Sequence, residues 1–244
     1  MKADSVPPPP GFDFPAVSCD GTGMPTEVKI CGLSDEESVD AALEAGADFV
    51  GFVFFPPSPR NVEIAAATAL ARRARGKAQI VALTVDADDV LITGITEGLR
   101  PDLLQLHGKE TPARAAAVRK LIGRPVMKAI GVAKAADLGR TRDYPAAERF
   151  LLDTKPPEDA TRPGGNAAAF DWRILEGFVS SKPWLLAGGL KPANVASALA
   201  ATGTGGVDVS SGVESAPGKK DSTLIRAFVR AVRDFDRATE RMAS

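Results

Sequence analysis

Only one histidine, His107, and two cysteines, Cys19 and Cys31, occur among the 244 residues. One imidazole cannot build a His-rich zinc site and two thiols cannot build a disulfide framework, so a metal-free, cytoplasmic protein is the expectation. Charge of one sign is also lacking: 30 Lys+Arg stand against 31 Asp+Glu, with no block of consecutive basic residues. Such a chain presents no electrostatic footprint to nucleic acid or to an anionic membrane. The longest apolar stretch of note, Phe49 to Phe55, falls far short of the roughly 18 to 20 residues that a membrane span requires. No G-x-G-x-x-G follows a first strand-like run and no G-x-x-x-x-G-K-[ST] occurs, which removes the dinucleotide fingerprint and the P-loop.

Residues 1–26 contain four successive prolines, Pro7 to Pro10, and show neither strand alternation nor helical period. They read as a tail or linker, without the apolar core of a secretory signal or the Arg-rich pattern of a transit peptide. Met24, three residues before the first strand-like run, is the expected natural start, and Cys19 is then an exposed thiol without a role.

From Glu27 to the end, short apolar runs alternate with segments whose apolar residues recur at three and four. EVKIC (27–31) precedes 35–46, DFVGFVF (48–54) precedes 62–75, and QIVALTV (79–85) precedes 87–98. LLQLH (103–107) precedes 111–121, PVMKAIGV (125–132) precedes 134–143, and RFLLD (149–153) precedes 170–179. PWLLAG (183–188) with 192–201 and GVDVS (206–210) with 221–237 complete eight strand-plus-helix units. Near-continuous apolar strands suit a parallel sheet covered by helices outside and filled by side chains inside. Ser34 with Glu37 reads as a capping box, Pro112 and Pro192 as first helical residues, and Asp221 as a cap. Eight units in this length predict an α/β fold, a single-domain (β/α)8 TIM barrel over 27–244; a doubly wound sheet would more often have five or six strands.

In such a barrel the chemistry sits where the strands end. Gly188 and Gly189 after strand 7, and Ser210, Ser211 and Gly212 after strand 8, let the backbone approach a ligand closely, and the paired motifs on successive strands suit a phosphate. Cys31 and Asp153 close strands 1 and 6 on opposite sides of the ring, so a thiol and a carboxyl can divide proton transfers across a pocket. The thiol would need a lowered pKa or a nearby base, and the carboxyl a raised one. Alone, a cysteine such as Cys31 is more often a small buried hydrophobe, and an aspartate such as Asp153 more often a helix or turn cap. Asp208, inside the apolar GVDV, needs a partner, either Lys29 or a substrate hydroxyl. Arg60 ends the proline-stiffened FFPPSPR and offers a fixed guanidinium fork suited to a carboxylate. His107 either lines a ligand or is a satisfied structural histidine.

The motifs VKICGL (28–33), DFVGFVFFPPSPR (48–60), LLQLHG (103–108), LLD (151–153), FDW (170–172), LAGGLKPANV (186–195) and GVDVSSGVE with PGKKD (206–221) span most of the chain in order. Together they resemble the phosphoribosylanthranilate isomerase family of tryptophan biosynthesis. The resemblance implies an Amadori rearrangement of N-(5-phosphoribosyl)anthranilate to 1-(2-carboxyphenylamino)-1-deoxyribulose 5-phosphate without a cofactor. It implies Asp153 as general acid on the furanose oxygen and Cys31 as general base at the sugar C2. Arg60 is then the carboxylate contact, His107 and Asp208 substrate contacts, and the two glycine loops the phosphate site. The partner expected is this phosphorylated sugar-anthranilate, with the chain a monomer or homodimer. One departure is Pro163-Gly164-Gly165-Asn166-Ala167, where the family usually carries PGGTG; the missing glycine is expected to stiffen a candidate lid after strand 6. A related phosphoribosyl isomerase of histidine biosynthesis would end strands 1 and 5 in aspartate, whereas here Cys31 and Gly131-Val132 stand there. A sugar-phosphate sensor on the same barrel would be free to lose Cys31 or Asp153, and both are present.

Overall fold

Eight parallel strands close on one another in chain order in the computed structural model, which describes residues 25–155 and 171–243. They are β1 (Glu27–Cys31), β2 (Phe49–Phe54), β3 (Gln79–Thr84), β4 (Leu103–Leu106), β5 (Val126–Val132), β6 (Arg149–Thr154), β7 (Trp184–Leu186) and β8 (Gly206–Val209). Pairing of Lys29 with Asp208 joins β8 back to β1 and leaves the main sheet without an edge. The expected (β/α)8 barrel is the fold.

Side chains alternate across each strand, so one position fixes the rest. Phe49, Val81, Leu103, Met127, Leu151, Leu185 and Ala187 fill the barrel interior as one apolar cluster. The opposite face of each strand packs under the helices in the larger core, with Ile30, Phe52, Ile80, Leu104 and Leu152 all buried. At about 25 cal/mol per Å2 of apolar area removed from water, these two layers are the main stabilisation of the fold. At one end of the inner column Arg149 stacks over the Phe49 ring, 5.0 Å from its centroid, and pairs with Glu27.

The helices are α1 (Glu36–Ala45), α2 (Ile64–Ala74), α3 (Asp89–Leu99), α4 (Pro112–Ile122), α5 (Val195–Thr202) and α6 (Ser222–Ala243). Two expected starts hold. Thr111 accepts from the Arg114 amide (3.2 Å) with Pro112 in the first turn, and Asp221 accepts from the Thr223 and Leu224 amides (2.8 and 3.0 Å). Two shift. The cap of α1 is Asp35, whose carboxylate accepts from the Ser38 amide at 2.8 Å, not Ser34. Pro192 lies in a turn, and α5 begins at Val195, because Asn194 ties the Lys191 amide and the Gly189 carbonyl into that turn.

The expected helix over 134–143 is a 3-10 helix, Ala135–Asp143, in which only Leu138 is buried. A single apolar anchor and Gly139 give no stripe for an α-helix to bury. Of the expected helix 170–179, the described residues begin at 171, and among them only Trp172–Leu175 is helical, again 3-10.

The proposed extension 1–26 falls almost wholly outside the described residues, as do Cys19, Met24 and the Pro163–Ala167 loop. Thr26, assigned to that extension, is instead buried against α6, its amide donating to Asp236 at 3.1 Å. Among the described residues, no helix is long and apolar enough to cross a membrane.

Candidate active site

The parity that sends Lys29 into the barrel sends Cys31, two residues on, into its mouth. Cys31 packs there with Val53 and Leu83, and with the partly buried Phe55 and Val85. Glycine at 51 makes the room: a Cβ there would stand 3.1 Å from Cys31 Sγ and 3.2 Å from Lys29 Nζ, so sulfur and ammonium share one small space. Lys29 donates to Asp208 Oδ1 at 2.7 Å, which answers the question of the partner this buried carboxylate needs. Burial opposes the Lys29 charge, but Asp208 and Cys31 outweigh it and the amine is pushed up to about 12. Burial pushes the Cys31 thiol above its ordinary value, and Lys29 and Lys220 offset this only in part while Asp208 adds to it. Of the two conditions the sequence reading set for this thiol, a lowered pKa or a nearby base, the first is not met.

Across the mouth, Asp153 follows Arg149 and Leu151 on the inward face of β6. Its Oδ1 accepts from the Thr154 amide (2.7 Å), and its Oδ2 lies 3.3 Å from His107 Nε2. The other ring nitrogen of His107 meets the carboxamide nitrogen of Gln105 at 2.8 Å. His107 is thus a neighbour of the candidate acid.

The loop carrying His107 is braced from behind. Glu110 accepts from the Asp86 and Gly108 amides (2.9 and 3.0 Å) and pairs with Lys128, which also donates to the Gly108 carbonyl, each at 2.8 Å. Burial pulls the Lys128 amine down, with Glu110 opposing. Asp86 holds a positive φ of 49°, and a Cβ at Gly108 would meet its carboxylate at 2.4 Å, so the loops after β3 and β4 fit only with glycine there.

The two glycine loops lie side by side on β7 and β8. Gly188 adopts φ 89°, and a Cβ on it would stand 2.2 Å from Thr154 Oγ1 and 2.9 Å from Asp153 Oδ1. A Cβ on Gly212 would sit 1.8 Å from the Leu190 carbonyl oxygen. These close approaches set the loop after β7 against the end of β6 on one side and the loop after β8 on the other. The Ser210 hydroxyl is committed internally, donating to the Cys31 carbonyl (3.0 Å) and accepting from Lys220 (3.2 Å). What Ser210 can offer an anion is therefore its backbone rather than its side chain.

Arg60 shows the fork geometry expected of it, on an unexpected partner. Its Nε and Nη2 donate to the two oxygens of Glu214 at 2.6 and 2.8 Å, and the residue is 4% exposed. Glu214 also accepts from Lys220 (2.8 Å). Burial alone would raise the Glu214 carboxyl, but Arg60 and Lys220 reverse the sign and hold it below its ordinary value. Burial likewise pulls the Lys220 amine down against the attraction of Glu214. Strands β9 (Glu214–Ala216) and β10 (Lys219–Lys220) form a hairpin that presents this pair. Gly218 at its tip has φ 80°, and a Cβ there would strike the Pro59 carbonyl at 2.4 Å, so the hairpin seats against the proline loop.

The mouth therefore gathers Cys31, Asp153, His107, Asp208 and Arg60 with both glycine loops. It adds Gln105, Glu214 and Lys220, which sequence reasoning did not place in the site, and Lys29, which it named only as one of two candidate partners of Asp208. Polar residues inside apolar strand runs, Lys29 in VKIC and Gln105 in LLQL, carried a usable signal; the Arg60–Glu214 pair, 154 residues apart, carried none. Among the described residues no group of three or more His, Cys, Asp or Glu is placed to hold a metal ion.

The model of the family described as N-(5'-phosphoribosyl)anthranilate (PRA) isomerase matches residues 28–231. A protein of Rhodopseudomonas palustris strain BisA53 bearing that name is 55% identical over 221 residues, covering 90% of this chain and 100% of that one. Among solved structures, phosphoribosyl anthranilate isomerase in complex with reduced 1-(o-carboxyphenylamino)-1-deoxyribulose 5-phosphate aligns with a TM-score of 0.73 and 31% identity, over 86% of this chain and 99% of that chain. Monomers of the dimeric enzyme of Thermotoga maritima align with a TM-score of 0.72 and 32% identity, over the same shares of the two chains.

Proposed function

The chain belongs to the phosphoribosylanthranilate isomerase family and isomerises N-(5'-phosphoribosyl)anthranilate in tryptophan biosynthesis, and we propose that Asp153 and Cys31 divide the proton transfers. Asp153, as the acid, gives its proton to the furanose ring oxygen. The bond from C1 to that oxygen breaks while the anthranilate nitrogen lone pair forms the C=N bond. Cys31, as thiolate, then takes the proton from C2, and the electrons left behind form the C1=C2 bond of an enolamine. Loss of the proton on the C2 hydroxyl and gain of one at C1 yield the ketone.

The observation that carries this division is the placement of the two groups. Both sit on inward positions at the strand ends, Cys31 beside Lys29 and Asp153 beside His107. A thiol pushed up by burial is a stronger base once ionised, which suits removal of a proton from carbon, and the thiolate forms against the Lys29 ammonium. The substrate phosphate lies on the backbone of Gly188, Gly189, Ser210, Ser211 and Gly212, remote from the bonds that change, where its binding holds the ribose in register. Arg60 contacts the anthranilate carboxylate through Nη1, since Glu214 occupies Nε and Nη2. The second oxygen of Asp208 accepts from a ribose hydroxyl while the first stays on Lys29.

Turnover is followed as loss of anthranilate-ribose fluorescence on substrate generated in situ, in a Cys19→Ala background, with and without a thiol-alkylating reagent. Alkylation of Cys31 abolishes turnover on this account. Full activity after stoichiometric alkylation would remove Cys31 from the chemistry. An enzyme of this family without association between copies and one that pairs are both compatible with the mouth as built, because every group named comes from one chain.

A further inference from the structure

Gln105 is fully buried at the barrel mouth, and its Oε1 meets no hydrogen-bond partner among the described residues. Buried carboxamides ordinarily satisfy both ends, so an orphaned acceptor next to a proton-transfer group asks for a reason. It stands at one end of a short string: Gln105 Nε2 to His107 Nδ1 at 2.8 Å, then His107 Nε2 to Asp153 Oδ2 at 3.3 Å. The far oxygen of Asp153 is held by the Thr154 amide.

A neutral imidazole has one donor and one acceptor, and a carboxamide can present either its NH2 or its carbonyl to a ring nitrogen. When the NH2 of Gln105 donates to Nδ1, the ring proton must be on Nε2, where it donates to an Asp153 carboxylate. When the carbonyl turns to the ring, the proton moves to Nδ1 and the bare Nε2 accepts from an Asp153 carboxyl O–H. Amide orientation, ring tautomer and the protonation of Asp153 are then a single coupled choice. Glutamine serves both arrangements, whereas an ionised glutamate can only accept and methionine presents no N–H or O–H donor. We propose that Gln105 is a positioning residue for the isomerisation, acting through His107 to keep the ring matched to Asp153 as that group gives up and regains its proton. This rests on Asp153 being the acid, and its test is separable from that assignment.

His107 is the one histidine of the chain, so 15N-histidine labelling of the full-length, untagged protein gives a single imidazole whose two nitrogens report the tautomer directly. In the unliganded wild type the expected result is one dominant neutral tautomer. In Gln105→Glu the proton is expected on Nδ1, in a neutral or doubly protonated ring. Gln105→Met, which adds no buried charge and so guards against a variant that fails to fold, is expected to give mixed tautomers. Both variants should lower kcat by about ten-fold or more with KM within about three-fold, the loss falling on proton transfer rather than binding. Ring resonances in Gln105→Met that match the wild type, or an unchanged kcat, would overturn the proposal. If Asp153→Asn remained active while the tautomer still followed residue 105, the acid assignment would fail and the Gln105–His107 linkage would stand as structural only, which also overturns the catalytic role given to Gln105.

Discussion

Single charges at the mouth have opposite effects on their neighbours, and the signs can be tested one residue at a time. Burial and Asp208 push the Cys31 thiol up, and Lys29 and Lys220 pull it down. The pH midpoint of Cys31 alkylation is therefore expected above the about 8.5 of a free thiol. Lys29→Met should move it further up, and Asp208→Asn should move it down; a midpoint that falls in Lys29→Met would contradict the arrangement of charges. Glu214 provides a second test, on stability. Its carboxyl is held below its ordinary 4.5, so its contribution is fully present above that pH and is lost as pH falls through the depressed value. Glu214→Gln should flatten this part of the acid-unfolding profile. At neutral pH it should also cost about 3 kcal/mol, because Lys220 and Arg60 stay buried without their shared partner. Chemical denaturation at pH 4 and pH 7 measures both. At this scale the residues that end strands were legible in advance, since an apolar run closing on Cys, Asp or His announces itself. The partner of Arg60 was not: the reading that a guanidinium fork suits a carboxylate was sound, but nothing in the local sequence points to a glutamate on a distant hairpin.

The elements show where local patterning suffices. β1 to β8 were readable because each is an apolar run bounded by turn residues, and the start of α4 because Pro112 follows Thr111. The segment over 134–143 misled, since its few apolar residues suggest a helical recurrence but supply one buried side chain, Leu138. The start of α5 misled for a different reason: Pro192 suits a first helical turn, but Asn194 closes a competing turn on Gly189 and Lys191. The glycine loops make the element-scale prediction. Gly212→Ala places a methyl against the Leu190 carbonyl, where the clash is with backbone rather than with a yielding side chain. The cost should lie toward the upper end of about 1–3 kcal/mol, with a raised KM for the phosphorylated substrate. Thermal melts and steady-state kinetics check it, and an unchanged KM would detach the loop after β8 from phosphate binding.

For the whole molecule, closure of the sheet turns sequence distance into proximity. Register pairs Lys29 of β1 with Asp208 of β8, and it is this closure, rather than any motif, that brings the first and last barrel strands together beneath Cys31. The inner apolar column supports the mouth from below, and the loops around it are fitted to one another by Gly108, Gly188, Gly212 and Gly218. On the proposed division of labour, such a mouth presents a base from β1, Cys31, and an acid from β6, Asp153, to a single small substrate, as isomerisation without net group transfer requires. The most direct measurement is turnover of N-(5'-phosphoribosyl)anthranilate by Asp153→Asn at saturating substrate, followed by fluorescence and paired with the affinity of the reduced product analogue. The account predicts a fall in kcat of about a thousand-fold with analogue affinity within a few-fold of wild type. A variant turning over within ten-fold of wild type would contradict the assignment of Asp153 as the acid that opens the ring.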